Sequence, residues 1–168
     1  MTIFDSKPAA GGLLTYGIPN FKLPKQVVFE RIHDLEKAGV EFIYNTYIGK
    51  SLTIDDLMAD GYQAVFIGVG ALVDTPMEVA GEDLPGVYKA TDFLMRANVD
   101  LELLPESQRR RPIIGRKVVV IGGGDTASDC LRSALRLALA CCAGYRIPEP
   151  TRQADIAVAR LKRESDSA

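Results

Sequence analysis

The stretch KVVVIGGGDTASD, residues 117–129, decides the fold. A β-branched run, Val118-Val119-Val120-Ile121, meets Gly122-Gly123-Gly124. Ala127 follows, and a helix-forming stretch runs from Ser128 to Leu139. Gly122, Gly124 and Ala127 spell G-x-G-x-x-A directly after a predicted strand, the setting in which a dinucleotide-binding fingerprint carries meaning. Each position has a physical job. Gly122 permits the tight turn out of the strand. Gly124 lets a pyrophosphate approach the backbone. Ala127 is small enough for the helix to pack on the sheet. The bare N–H groups at the helix start then face the phosphates, aided by the helix dipole. The bland alternative for the same glycines is a structural tight turn.

Composition sets bounds around this motif. The chain has 168 residues, 47% of them apolar, enough for a real core in one domain or parts of two. A net charge of −2 gives no nucleic-acid or membrane footprint. The longest apolar run, Leu137 to Ala143, is too short to span a bilayer. No signal peptide is read at Met1-Thr-Ile-Phe-Asp5, and the expected location is the cytoplasm. Cys130, Cys141 and Cys142 form no C-x-x-C pair, so they read as reduced fillers and no metal site is expected. The single histidine, His33, has no partner suited to catalysis.

Outward from the motif, the chain reads as alternating short elements. Thr2–Asp5 is a predicted strand ending on an acid, which suits a ribose hydroxyl or simply a solvated strand end. Gly11–Pro24 reads as a loop without a period, too apolar for an ordinary linker. Pro24 opens a helix with Val28, Ile32 and Leu35 on one face and Gly39 beyond its end. Val40–Tyr44 and Thr46–Ile48 read as strands, and Thr53-x-x-Asp56 as a capping box before a short helix ending at Gly61. Gln63–Ile67 reads as a strand entering Gly68-Val69-Gly70, a second junction suited to a ligand. Thr75–Val79 is a candidate strand, Gly81–Gly86 a turn cluster, and Thr91–Asn98 a helix capped by Thr91. Glu106–Arg116, with Arg109-Arg110-Arg111, reads as an exposed connector between two lobes.

Four stretches occur in an order that resembles a known flavoprotein family: GGLLTYGIPNFKLPK, NTYIGKSLTIDDLMADGYQAVFIGVGA, GEDLPGVYKATDFL and VVVIGGGDTASDC. The chain is similar, over about Thr2 to Arg136, to the glutamate synthase small subunit family of FAD- and NADPH-dependent oxidoreductases, whose relatives include the flavin region of dihydropyrimidine dehydrogenase. The resemblance implies an α/β, nested Rossmann-like flavoprotein fold with two dinucleotide-binding domains, present here in part. It implies domains at 1–104 (partial FAD-binding), 105–116 (connector) and 117–147 (start of the NAD(P)H-binding domain), then a tail at 148–168.

The resemblance also implies roles. Asp5 matches the acid on the FAD ribose. Gly12 and Leu13 match the loop beside pyrophosphate and flavin, continued by Tyr16, Gly17, Ile18 and Pro19. Ile48 matches the residue that meets adenine. Gly68, Val69 and Gly70 match the return to the FAD phosphates. Gly122, Gly124, Asp125, Thr126 and Ala127 match the NADPH phosphate loop. About 20 residues past the fingerprint an arginine favours a 2′-phosphate. Arg146 stands near that distance, so NADP is expected over NAD.

The implied activity is hydride transfer from NADPH to FAD with electrons passed onward, without a catalytic side chain, and with a larger catalytic subunit or an iron–sulfur acceptor as partner. Departures from the family accompany this. Its first glycine fingerprint, expected ahead of Thr2, is not in the sequence; past Arg136 the stretch Leu137–Gly144 shows no β-branched strand, and only Tyr145-Arg146 remain of the family's basic end. The expectation is therefore a truncated or frame-disrupted product. A stand-alone nucleotide-binding module and a remnant without redox activity stand as the alternatives.

Overall fold

A computed structural model describes residues 1–71, 73–115, 117–142 and 155–159, with side chains as far as Leu139. The elements are β1 (Thr2–Phe4), α1 (Gly12–Tyr16), α2 (Lys25–Lys37), β2 (Glu41–Ile43), α3 (Ile54–Ala59), α4 (Ala90–Asn98), β3 (Lys117–Ile121), α5 (Asp125–Cys142) and β4 (Asp155–Ala159). Two parallel pairs form, the first closed over α1 and α2 and the second over α5. β1 pairs with β2 in the register Ile3 to Phe42. β3 pairs with β4 in the register Val119 to Ala157. Parallel neighbours require such a crossover, and a β–α–β unit supplies it.

The core has two parts, and α4 belongs to both. Met95 and Val99 join Tyr16 and Leu104 in one cluster. Phe93 and Leu94 join Cys130 and Ala134 in the other, with Val118 and Val120 of β3 packed against it. β3 alternates as a half-buried strand does, with Val119 and Ile121 outward. The Tyr16 hydroxyl ties α1 to the turn that follows α4. It accepts from the Ala9 N–H at 2.9 Å and donates to the Leu103 carbonyl at 3.0 Å.

Helix ends follow the sequence closely in one case. Thr53 Oγ1 accepts from the Asp56 N–H at 3.1 Å, and the Asp56 carboxylate accepts from the Thr53 N–H at 2.9 Å. This is the expected capping box of α3. Those hydrogen bonds from Thr53 also hold the Asp56 carboxyl below its ordinary range. At α2, Pro24 stands one place before the helix, as its N-cap.

Several expectations are corrected. The Gly11–Pro24 loop contains α1, because Thr15 and Tyr16 find buried places. Helix α5 starts at Asp125, directly after the glycines. At α4 the cap is Lys89, and the Asp74 carboxylate reaches Thr91 instead, accepting a hydrogen bond from its hydroxyl at 2.8 Å. Thr46–Ile48 is not a strand. Ser51 Oγ takes the Tyr47 N–H and Leu52 O takes the Gly49 N–H, closing a local turn. Thr75–Val79 is not a strand either. The Glu82 carboxylate accepts the N–H groups of Met77 and Glu78, and Glu78 has φ 57°. Gln63–Ile67 joins no ladder among the described residues. It starts beside β1, where Tyr62 meets Phe4 edge-on, and then leaves Phe66 95% exposed. No strand was read in the tail, yet residues 155–159 pair with β3.

The arginine run is also more than a solvated connector. Arg111 Nη1 donates to the carbonyls of Arg96 (2.8 Å) and Val99 (2.9 Å), closing the C-terminal end of α4. Arg109 Nε donates to Leu104 O at 2.9 Å. Among the described residues, no helix is long and apolar enough to cross a membrane.

Tyr16→Phe leaves the Ala9 N–H and the Leu103 carbonyl short of a partner and should cost about 1–2 kcal/mol in urea unfolding. Burial, with Asp5 and Tyr44 nearby, pushes the Tyr16 phenol up to about 12 from its ordinary 10.0. The unfolded chain therefore releases this proton first. Tyr16 adds stability in full below pH 10 and loses it as pH rises toward 12. Over that window wild type should lose stability more steeply than Tyr16→Phe; parallel slopes would refute the assignment.

Candidate nucleotide-binding loops

The first loop follows β3. Gly122 has φ +135°, a conformation that L side chains rarely adopt, and a Cβ there would lie 3.1 Å from the Ala127 Cβ. The turn out of the strand therefore depends on small residues at both positions. Gly124 is different: a Cβ there would meet nothing within 4 Å, so the backbone faces open space. The Ser128 N–H bonds back to Gly124 O at 3.1 Å. The N–H groups of Asp125, Thr126 and Ala127 have no acceptor among the described residues. Asp125 and Thr126 are exposed. The result is an open helix N-terminus at the end of a parallel strand, suited to an anion.

The second loop is built around Gly11 and α1. Gly11 has φ +108°, and a Cβ there would come within 2.2 Å of Thr15 Oγ1 and 2.9 Å of Val28 Cγ1. Thr15 is buried and donates to the Ala10 carbonyl at 2.8 Å. Gly12 sits clear of neighbours, and Leu13 is half-exposed. Gly17 and Ile18 close α1 by bonding to Leu13 O, and Pro19 is buried. Lys25 Nζ, pushed down to about 8 by burial, donates to the carbonyls of Leu14 and Ile18. The Tyr16 side chain lies in the core and presents no ring to a ligand.

The remaining expected residues are more scattered. Asp5 follows β1 and accepts the Lys7 N–H on Oδ1 at 2.9 Å. Ile48 lies in the turn, bridged to Leu52. Gly68, Val69 and Gly70 lie on the exposed extended stretch. Arg146 lies outside the described residues.

The structure joins the Gly11–Pro24 segment to α5 by contacts that the motif reading missed. Lys22 Nζ stands 2.5 Å from Asp129 Oδ1. Asn20 Nδ2 donates to Asn98 O (2.9 Å), and Asn98 Nδ2 donates to Ser133 Oγ (3.1 Å). The guanidinium groups of Arg132 and Arg136 lie 4.7 and 3.9 Å from the Phe21 ring centre. One sequence signal was available. Asp129 shares the buried face of α5 with Cys130, Ser133 and Ala134, and a carboxylate there demands a partner.

No family model matches the sequence. It is 44% identical over 137 residues to the glutamate synthase [NADPH] small chain of Escherichia coli, covering 80% of this chain and 29% of that protein. It is 41% identical over 139 residues to the same-named chain of Bacillus subtilis, covering 81% and 28%. Among solved structures, Mycobacterium tuberculosis FprA in complex with NADPH aligns with a TM-score of 0.60 and 26% identity, over 78% of this chain and 28% of that one. The chain is thus homologous to one part of the glutamate synthase small chain, and its α/β architecture is part of an FprA-like fold. It spans less than a third of the length of these relatives.

Gly11→Ala combines a left-handed backbone with a clash against Thr15 and should cost about 2–4 kcal/mol. Gly12→Ala, with φ +49° and open space, carries the backbone term alone. It should cost about 1–2 kcal/mol. Denaturant titrations of the two variants should keep that order; the reverse order would show that the loop is not packed as described.

Proposed function

We propose that this chain supplies a nicotinamide-nucleotide loop and part of a flavin site to an oxidoreductase unit that passes hydride from NADPH to FAD. The open glycine loop ahead of α5 carries the reading: unhindered backbone at Gly124, bare N–H groups in the first helical turn, and the parallel β3–α5–β4 unit behind them. The pyrophosphate is held there by Gly122, Gly124 and the backbone of Asp125, Thr126 and Ala127. Arg146 is assigned to the 2′-phosphate, on the strength of its distance from the fingerprint.

For FAD the reading assigns Asp5 to the ribose and the backbone at Gly12, Leu13, Gly17, Ile18 and Pro19 to the flavin side. It assigns Ile48 to adenine and Gly68, Val69 and Gly70 to the phosphates. Tyr16 acts there only through the packing of α1. When bound, nicotinamide and flavin supply the hydride chemistry; the residues of this chain bind and orient them. The name "small chain" carried by the relatives supports a larger partner subunit; an iron–sulfur acceptor rests on the family resemblance alone. The unpaired, buried Cys130 agrees with a cytoplasmic setting.

One observation favours a narrower reading, a nucleotide-binding module without redox activity. The stretch that carries Gly68–Gly70 leaves Phe66 95%, Ile67 64% and Val69 74% exposed, so this flank of the flavin site has little packing of its own.

Calorimetric titration separates these readings. Wild type should bind NADPH more tightly than NADH. Gly124→Val should lose binding while keeping its melting temperature, because the branched side chain enters open space that the phosphate needs. Undiminished binding by Gly124→Val would place the phosphate elsewhere. Saturable FAD uptake, read as a flavin band near about 450 nm, supports the flavin site; NADPH binding without it leaves the module reading.

A further inference from the structure

We infer that Lys22 and Asp129 are positioning residues. Their ion pair locks the Gly11–Pro24 segment to the helix that carries the glycine loop, so that a nucleotide bound at Gly122–Ala127 is felt at Gly11–Pro24. The inference deepens the function proposed above and rests on it for the ligand, but the mechanical link stands on geometry alone.

Four observations carry it. Asp129 lies one turn into α5, only 7% exposed, on the buried face it shares with Cys130 and Ala134. Its Oδ1 has no hydrogen-bond partner among the described residues and meets a single cation, Lys22, at 2.5 Å. A carboxylate so placed holds its cation firmly, because losing it would leave a buried charge uncompensated. Lys22 in turn is fixed from behind, since the N–H groups of Lys22 and Leu23 both bond to Pro19 O. Just ahead of Lys22 the segment is held again. Phe21 lies under the guanidinium groups of Arg132 and Arg136, one and two turns further along α5. Asn20 reaches α5 through Asn98 and Ser133.

The hierarchy among these contacts follows from solvent. Arg132 and Arg136 are exposed, and exposed cation–π contacts add little each. The ion pair is sheltered on the Asp129 side and a third exposed on the Lys22 side. Its loss should therefore lie between the few-fold effect of a surface pair and the hundred-fold or greater effect of a buried one, at about tenfold. The path from ligand to segment is short. Asp129 stands two residues after Ala127 on the same helix, so any shift of the first turn of α5 moves the carboxylate, and the lysine follows.

Amide hydrogen exchange on the full chain tests this, with Asp129→Asn, Lys22→Met and the exchanged pair Lys22→Asp/Asp129→Lys. Without ligand, each single variant should speed exchange across Leu13–Leu23 about tenfold while β1 and β2 keep their rates. The exchanged pair should recover part of the protection, which a general loss of packing would not allow. Wild-type rates in Asp129→Asn would overturn the link. So would acceleration spread evenly over the chain in both single variants.

With NADPH, wild type should gain protection at Leu13–Leu23 as well as in the first turn of α5. Lys22→Met should bind NADPH and gain protection in α5 alone. Equal gains at Leu13–Leu23 in wild type and Lys22→Met would overturn the coupling. If no form of the chain binds NADPH, the proposed function fails by itself, and the ligand-free rates still decide whether the pair locks the segment.

Discussion

Helix α4 is the constraint on which the described structure depends. A nine-residue helix can bury two stripes only if partners lie on both sides of it, and here they do. Met95 and Val99 face Tyr16 and Leu104, while Phe93 and Leu94 face Cys130 and Ala134. The first set belongs to the segment read as flavin-associated, the second to the glycine-loop helix. With Leu104 fully buried and Val99 nearly so, neither side can slide without opening a cavity. The Gly11–Pro24 segment and the glycine loop ahead of α5 inherit their relative placement from this packing.

The polar contacts then refine that placement. Arg111 holds the C-terminal carbonyls of α4, Asp74 reaches Thr91 near its start, and Asn98 links it to both Asn20 and Ser133. Each meets a backbone or side-chain group that would otherwise lose water without replacement. The glycine loop takes no part in this. Its N–H groups are left open at the end of a well-packed strand and helix, as a binding site requires. Stable packing behind and open donors in front are what the proposed anion site rests on.

Exposure is uneven across the molecule, and this bears on the flavin side. Val119 and Ile121 of β3 point away from the core, and the stretch from Val65 to Val69 offers apolar side chains to solvent. The relatives are more than three times as long as the part matched here. A segment that is rich in β-branched residues but unpaired among the described residues has the composition of a buried parallel strand without the neighbours that would bury it. Assignments at Gly68–Gly70 therefore depend on packing that the described residues do not provide.

The sequence by itself determined what is local. The strand–glycine–helix junction at 117–129 was legible because a β-branched run, the glycine spacing and a small residue at Ala127 each report one backbone requirement. The capping box at Thr53 and Asp56 was legible for the same reason, since both partners lie within one turn. The tertiary structure alone decided what depends on distant partners. α1 was hidden in an aperiodic stretch because its burial comes from Leu104 and Val99, more than eighty residues away. The family resemblance sets Tyr16 in a cofactor loop, and in space its side chain is core, with its hydroxyl on Leu103. Gln63–Ile67 has strand chemistry but no ladder, since a strand exists only with a neighbour. Lys22 and Asp129 are unremarkable in their own stretches. Their pairing across more than a hundred positions follows from burial of one carboxylate, which sets its need for a cation but cannot say which cation answers it.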